Sequence, residues 1–513
     1  MSLGLKKFVS ILSRRDDIAK IQSEAKNSEM KRTLTRIDLI SIGIGCTIGT
    51  GIFVLTGLVA RDYTGPSIAI SFIIAGVASS LTAFSYAELS SMIPASGSAY
   101  TYAAATMGEF LGWIVGMNLV LEYLVGASTI AVGWSEYLLS LIHAISNVTI
   151  GPKFTRSPIQ YVVAEQKISI DGGSYINIPA IFIVIAISAV HVVGMRESSI
   201  LNNVIVFIKV LAILIFIFCG IKYVDPGNYK PFVPEAKGGS FGPIGIIRGA
   251  QKLFMAFIGF DAVASASQEA INPKKDLPIG IIVSLFVCTL LYIAVSIVMT
   301  GVSNYKDIES GSIANIFSKF SGSKWIEIVI DVGAVAGLSS AILVSLMAQP
   351  RLFMVMSNDG LLPKIFGRLH PKFKTPYWST IITGIICSVL SGFLPVDILA
   401  DMTSCGALVV FTFVNIGVII LKITHPDMER TFSVPLGKYL CPAVGALITV
   451  CLLVLSEAIT KIRMLIYFAI ITIMYFIYPM RNSNLGKHKD CETGSYEIKN
   501  DSDSHIFFLQ TKV

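Results

Sequence analysis

The sequence predicts an all-α polytopic membrane protein with about twelve transmembrane helices, and three observations carry that prediction. Hydrophobic residues make up 53% of the 513 positions and charged residues 14%, where ordinary soluble domains carry roughly 25% charged residues. Apolar runs of about 20 residues, the length that crosses a bilayer as a helix, recur along almost the whole chain. They exclude a soluble enzyme held by one anchor, and continuous runs such as IFIVIAISAVHVV (181–193) lack the alternation of a β-barrel strand. Finally, two of the runs, five apart in order, are interrupted by glycine, which is the sequence mark of a transporter built from inverted repeats.

The elements follow in order. Residues 1–37 form a basic tail carrying Lys6, Lys7, Arg14, Arg15, Lys20, Lys26, Lys31, Arg32 and Arg36, without an apolar core of signal-peptide length. Leu5, Phe8, Val9 and Leu12 share one helical face there, as in an amphipathic helix lying on an anionic inner leaflet. Candidate spans lie at 38–60, 67–93, 110–142, 175–195 and 203–222, which make a first five-helix repeat over 38–222. Spans at 245–270, 279–302, 324–350, 377–393 and 397–421 make a second over 245–421. Two extra helices (436–458 and 463–480) and a polar tail expected to be disordered (481–513) complete the chain. The tail and the basic segment 351–376 put both termini on the cytoplasmic side of the cell membrane. The net charge of +7 is explained by this orientation and by attraction to membrane lipid, with no nucleic-acid motif beside it.

Eight scattered cysteines without a CxxC pair read as small packing residues, so neither disulfide nor metal is expected. Six scattered histidines make no site. With no nucleotide loop, metal-ligand cluster or nucleophile constellation, the sequence points away from an enzyme and implies no cofactor.

The first interruption reads GIGCTIGTGIF (43–53), four glycines in eleven residues at membrane depth, where each glycine costs a helix interior about 1 kcal/mol relative to alanine. The second lies in FMAFIGFDAVASASQEAINP (254–273), with Gly259 and the ionisable Asp261. Unwinding frees backbone groups that a cavity or a substrate must satisfy. Donors around Gly49, Thr50 and Gly51 suit a carboxylate at the start of a half-helix. Carbonyls near Thr47 and Phe257 suit an ammonium, and an α-amino acid supplies both groups. The alternative is that the glycines merely permit close helix packing, which applies more readily to Gly43 and Gly45 than to Gly49-Thr50-Gly51.

At these segments the chain resembles the amino acid-polyamine-organocation superfamily, and within it the cationic amino acid transporter family. The resemblance rests on KRTLTRIDLISIGIGCTIGTGIFVLTG (31–57), ELSSMIPASGSAYTY (88–102), LEYLVGASTIAVGWSEYL (121–138), IGFDAVASASQEAINPKKDLPIGI (258–281) and QPRLFMVMSNDGLLPKIFGRLHPKFKTP (349–376). It covers about residues 31–480. It implies the leucine-transporter type of 5+5 inverted repeat, with helices 1 and 6 broken, and movement of an amino acid by alternating access.

The resemblance also assigns roles to charges inside the membrane, which are functional suspects in their own right. Lys209 matches the fifth-span lysine that stands where sodium-driven relatives hold a sodium ion, so the expected coupling ion is the proton. The alternative is a lysine snorkelling to the interface. Glu122 matches the third-span glutamate of the cationic family; it would read a cationic side chain or carry a proton, or else make a structural hydrogen bond. Asp261 would stabilise the broken backbone or contact the substrate, opposite Thr47, Thr50 and Gly51 and beside Ile258. Met255 stands where relatives carry a gating aromatic. Arg248 and Lys252 depart from the pattern: facing the cavity they would repel a cation, and otherwise they point to the outer vestibule or pair with acids, Asp331 being a candidate.

These readings add up to a permease for amino acids, coupled to protons, with arginine, lysine or ornithine as the expected substrates. A neutral or broad-specificity permease or exchanger is the alternative. In other classes, a transporter-like sensor without flux lacks a sizeable soluble output domain, and an ion channel lacks a filter motif.

Overall fold

The computed structural model describes residues 14–15, 18, 21 and 32–484, apart from 94–96, 163–166, 194–198, 238, 309–311, 321, 374, 429 and 436. The expected amphipathic helix around Leu5 to Leu12 and the tail beyond residue 484 lie outside these residues.

Helix α1 (Arg36–Thr47) begins on a capping box, in which Thr35 accepts from the Asp38 N–H and the Asp38 carboxylate accepts from the Thr35 N–H. It stops at Ile48, whose backbone is extended (φ −75°, ψ 97°). The chain resumes as a π-helical turn (Gly51–Leu55), a short α-helical turn (Thr56–Val59) and a second π-helical turn (Ala60–Thr64). Thr56 donates to the Gly51 carbonyl and Thr64 to the Val59 carbonyl, each at 3.2 Å and five residues back. These threonine hydroxyls supply donors to the widened turns.

Then come α2 (Ile68–Met92), α3 (Ser98–Met107) and the long α4 (Glu109–Ser146). An antiparallel hairpin of β1 (Ile159–Val162) and β2 (Lys167–Ile170) pairs Ile159 with Ile170 in the connection that follows α4. Helices α5 (Ile178–Val193) and α6 (Ser199–Gly220) follow. Helix α7 (Gly242–Leu253) tightens into a 3₁₀ turn at Phe254–Phe257 and breaks at Ile258 and Gly259, where Gly259 takes φ +117°. One helical turn follows at Ala262–Ser265. The remaining helices are α8 (Pro273–Val302), α9 (Lys324–Asn358), α10 (Tyr377–Phe393), α11 (Val396–Thr424), α12 (Leu440–Leu455) and α13 (Ala458–Ile477).

Helical structure therefore occurs in every expected span. Among the described residues seven helices are long and apolar enough to cross a membrane, and α5, α10 and α12 are shorter apolar helices. The chain from Arg36 to Met92 and α4 run through the interior, with α4 packed on α9 and α11, and α2 on α8. Helix α13 turns Leu465, Ile466, Ile473 and Ile477 outward, and α5 does the same with Phe182 and Ile185. An apolar exterior of this extent is stable where lipid replaces water.

Two buried carboxylates join helices away from the interruptions. Glu88 of α2 meets Lys422 of α11 at 3.0 Å and accepts from the Val434 N–H. At the start of α4, Glu109 donates its N–H to the Arg14 carbonyl, and its carboxylate accepts from Tyr475 and Ser483. Segments from both ends of the chain thus meet on one helix end.

Candidate substrate site between the two interrupted helices

The two interruptions lie against each other. A Cβ on Gly51 would stand 2.3 Å from the Cα of Ala256, and one on Gly259 would stand 2.6 Å from the carbonyl carbon of Cys46. No side chain larger than hydrogen fits at either crossing, and Gly259 also has the positive φ that disfavours other residues. Gly43 and Gly45 are packing glycines as well, facing Ser284 and Val206. Gly49 differs: a Cβ there would meet only Ala341 Cβ, at 4.0 Å.

Side chains from distant helices bind the carbonyls that the breaks set free. The buried Lys209 ammonium of α6 donates to the Gly45 carbonyl at 2.5 Å and the Ile48 carbonyl at 3.2 Å. It is directed inward at the end of α1, not outward to an interface. The Tyr292 hydroxyl of α8 lies 2.8 Å from the Thr47 carbonyl and 2.9 Å from the Ala256 carbonyl, tying one interruption to the other. Tyr137 of α4 donates to the Phe53 carbonyl at 2.6 Å. The Asp261 carboxylate accepts from the Gly259 N–H at 3.2 Å and from Tyr123 at 3.1 Å. Ser404 accepts from the Met255 N–H. Each buried backbone group satisfied in this way avoids a penalty of about 1–3 kcal/mol.

Between the interruptions lies a cavity of about 600 Å³, counting the part open to solvent. Thr47, Gly49, Thr50, Gly51, Glu122, Met255 and Ile258, all read from the sequence as site residues, line it. Phe257 and Asp261 are buried next to it and outside its lining. Phe257 packs edge-on against Phe72 and Tyr292, and Asp261 is occupied by the broken backbone. The sequence reading missed Gly126 and Ile130 of α4, the wall of Ala341, Val344, Ser345 and Ala348 on α9, and Thr403 of α11. Gly126 and Ile130 follow Glu122 at steps of four, and that spacing marks them as sharing its face. The α9 wall carries no such signal.

Four polar atoms at this cavity have no hydrogen-bond partner: the hydroxyls of Thr47 and Thr50 and both carboxylate oxygens of Glu122. Buried polar atoms are ordinarily paired, and these four line one cavity.

Arg248 and Lys252 do not line the cavity. Lys252 pairs with Asp401 of α11 at 2.6 Å, both buried, and its ammonium lies 4.7 Å from the centre of the Tyr63 ring. Arg248 donates to the Gly239 carbonyl. Asp331 is not the acid partner; its carboxylate accepts from Ser140 at 2.6 Å and Ser312 at 2.7 Å. The expected pairing is thus made with a different acid, because α7 packs on α11.

A family model described as amino acid permease matches residues 34–487. The chain belongs to the amino acid permease family. Among its relatives, this permease is 41% identical to the methylthioribose transporter of Bacillus subtilis (strain 168), over 93% of this chain and 100% of that protein. It is 38% identical to the branched-chain amino acid permease BcaP of the same organism, over 91% and 97%. It is 36% identical to the vacuolar cationic amino acid transporter 4 of Arabidopsis thaliana, over 78% of this chain and 64% of that protein. These relatives are transporters, and the permease is an integral, multi-pass member of the superfamily that the sequence motifs resemble.

Proposed function

We propose that this permease moves α-amino acids across the cell membrane by alternating access, with a proton as the coupled ion. The observation that carries the proposal is the set of unpartnered atoms on Thr47, Thr50 and Glu122, gathered around one cavity where two interrupted helices meet. Backbone at Gly49, Thr50 and Gly51 receives the substrate carboxylate at the start of a half-helix. Met255 and Ile258 close the opposite side. In this reading the twelve spans form two inverted repeats of five plus two helices, with both termini cytoplasmic.

Glu122 is the reason to favour a cationic side chain. Its buried carboxylate has no bonding partner, and a guanidinium or ammonium would supply one. Lys252 does not oppose such a substrate, since Asp401 neutralises it away from the cavity. A second reading rests on the apolar wall of Ile130, Ala341, Val344 and Ala348, which fits a neutral side chain, with Glu122 then serving as the proton carrier. The name of one relative, a branched-chain amino acid permease, agrees with that wall.

Lys209 is the proposed coupling group. Its ammonium anchors the end of α1 through two carbonyls, and loss of its proton would weaken that anchor and release the half-helix. The test is uptake of labelled arginine, lysine, leucine, alanine and methylthioribose into proteoliposomes, with and without an inward proton gradient. Gradient-stimulated arginine or lysine uptake that Glu122→Ala and Lys209→Ala abolish is the expected result. Uptake of leucine and alanine alone selects the second reading, and uptake of no amino acid overturns the proposal.

A further inference from the structure

Helix α4 contains four glycines, and three of them are explained by packing. A Cβ on Gly112 would stand 2.9 Å from Ala104 Cβ, one on Gly116 the same distance from Met356 and Tyr100, and one on Gly133 the same distance from Thr50. Gly126 is different. Its Cβ would make one ordinary contact, 3.5 Å to Thr403 Cγ2. Its backbone is helical and its φ is negative, so the conformation is open to any residue.

A glycine in the middle of a helix costs about 1 kcal/mol relative to alanine, and at Gly126 neither packing nor backbone geometry accounts for it. The missing methyl is instead matched by cavity space. Gly126 lies one helical turn from Glu122 and one from Ile130, and all three line the cavity. The space left by hydrogen at this position lies beside the unpartnered Glu122 carboxylate.

We infer that Gly126 determines the size of the substrate side chain: the volume it leaves open between α4 and Thr403 holds the part of the substrate beyond its β-carbon. This rests on the cavity being the amino acid site. A methyl group at this position then excludes bulky side chains more than small ones, since one methylene in a closely fitting pocket changes discrimination about 10- to 200-fold. The same methyl favours the helix, so the effects on selectivity and on folding run in opposite directions.

The test compares kcat/KM for leucine or arginine, whichever the wild type carries, with kcat/KM for alanine in proteoliposomes. Gly126→Ala is expected to lower the ratio of bulky to small substrate about tenfold while the melting temperature of the purified protein stays level or rises. Adding Thr403→Ser removes Cγ2, the atom nearest the new methyl, and is expected to restore part of the ratio. Ile130→Val opens the same face and is expected to move the ratio the other way, which keeps the test decisive if Gly126→Ala fails to fold. An unchanged ratio in Gly126→Ala, or equal losses for both substrates, overturns the inference and leaves the transport assignment standing. A wild type that carries no amino acid overturns both.

Discussion

Tyr292 shows how much of the site depends on single groups that the sequence gives no reason to select. It stands in an apolar run of α8, yet its hydroxyl reaches one carbonyl on each interrupted helix. Tyr292→Phe keeps the ring contacts with Phe72 and Phe257 and removes only that oxygen. The expected outcome is a loss of about 1–3 kcal/mol in stability together with reduced uptake, measured by thermal unfolding and flux on the same preparation. Lys252 and Asp401 form a second such case. Removing either partner leaves a buried charge uncompensated, at about 3–5 kcal/mol, whereas replacing both with apolar residues restores much of the loss. Lys252→Met and Asp401→Leu should each lower the melting temperature sharply, and the double variant should recover; additive losses would argue against the pair. Lys252 could be recognised from the sequence as anomalous. Its partner could not, because the choice between Asp331 and Asp401 depends on which helices touch.

The two interrupted helices were legible as elements, since glycine and a buried acid at membrane depth are costly unless backbone is being freed. What each glycine does was not legible. Gly49 and Gly51 are two residues apart in one motif, yet a Cβ on Gly51 would overlap Ala256 while one on Gly49 makes a single ordinary contact with Ala341. Gly51→Ala is therefore expected to prevent stable folding, and Gly49→Ala to leave the protein folded but with weakened substrate affinity. Fluorescence-detected gel filtration followed by uptake separates the two effects, and similar behaviour of both variants would contradict the geometry. Asp261 follows the same pattern. The sequence left it between backbone and substrate, and its carboxylate accepts from the Gly259 N–H and from the Tyr123 hydroxyl. The α9 wall stayed hidden because alanine, valine and serine in an apolar run look alike whether they face lipid, protein or a cavity. The hairpin of β1 and β2 was hidden too, in a stretch too short and too mixed in character to stand out from a loop.

At the scale of the molecule, the helices that carry the cavity wall are held together away from it. Glu109 opens α4, and Asn358 and Asp359 close α9, two packed helices that both line the cavity. Ser483 donates to the Glu109 carboxylate, while Asn484 donates its N–H to the Asp359 carbonyl at 3.0 Å and its side-chain amide to the Asn358 carbonyl at 2.6 Å. Two consecutive residues after α13 thus bridge α4 and α9. In the proposed alternating access such packed elements exchange between discrete arrangements, and a bridge between two of them would bias the exchange toward the arrangement it joins. Chains ending after Asn484 and after Asn482 differ by the two residues that make this bridge. The shorter chain is expected to be less stable by about 1.5–3 kcal/mol, the worth of a hydrogen bond to a charged group, since the Glu109 carboxylate loses Ser483 and keeps Tyr475. Its cavity should also change access, read as altered labelling by a membrane-impermeant thiol reagent of Cys46, the lining cysteine, in a background where the other cysteines are replaced. Equal stability and equal labelling in the two chains would mean that the bridge closes a surface without biasing the transport cycle.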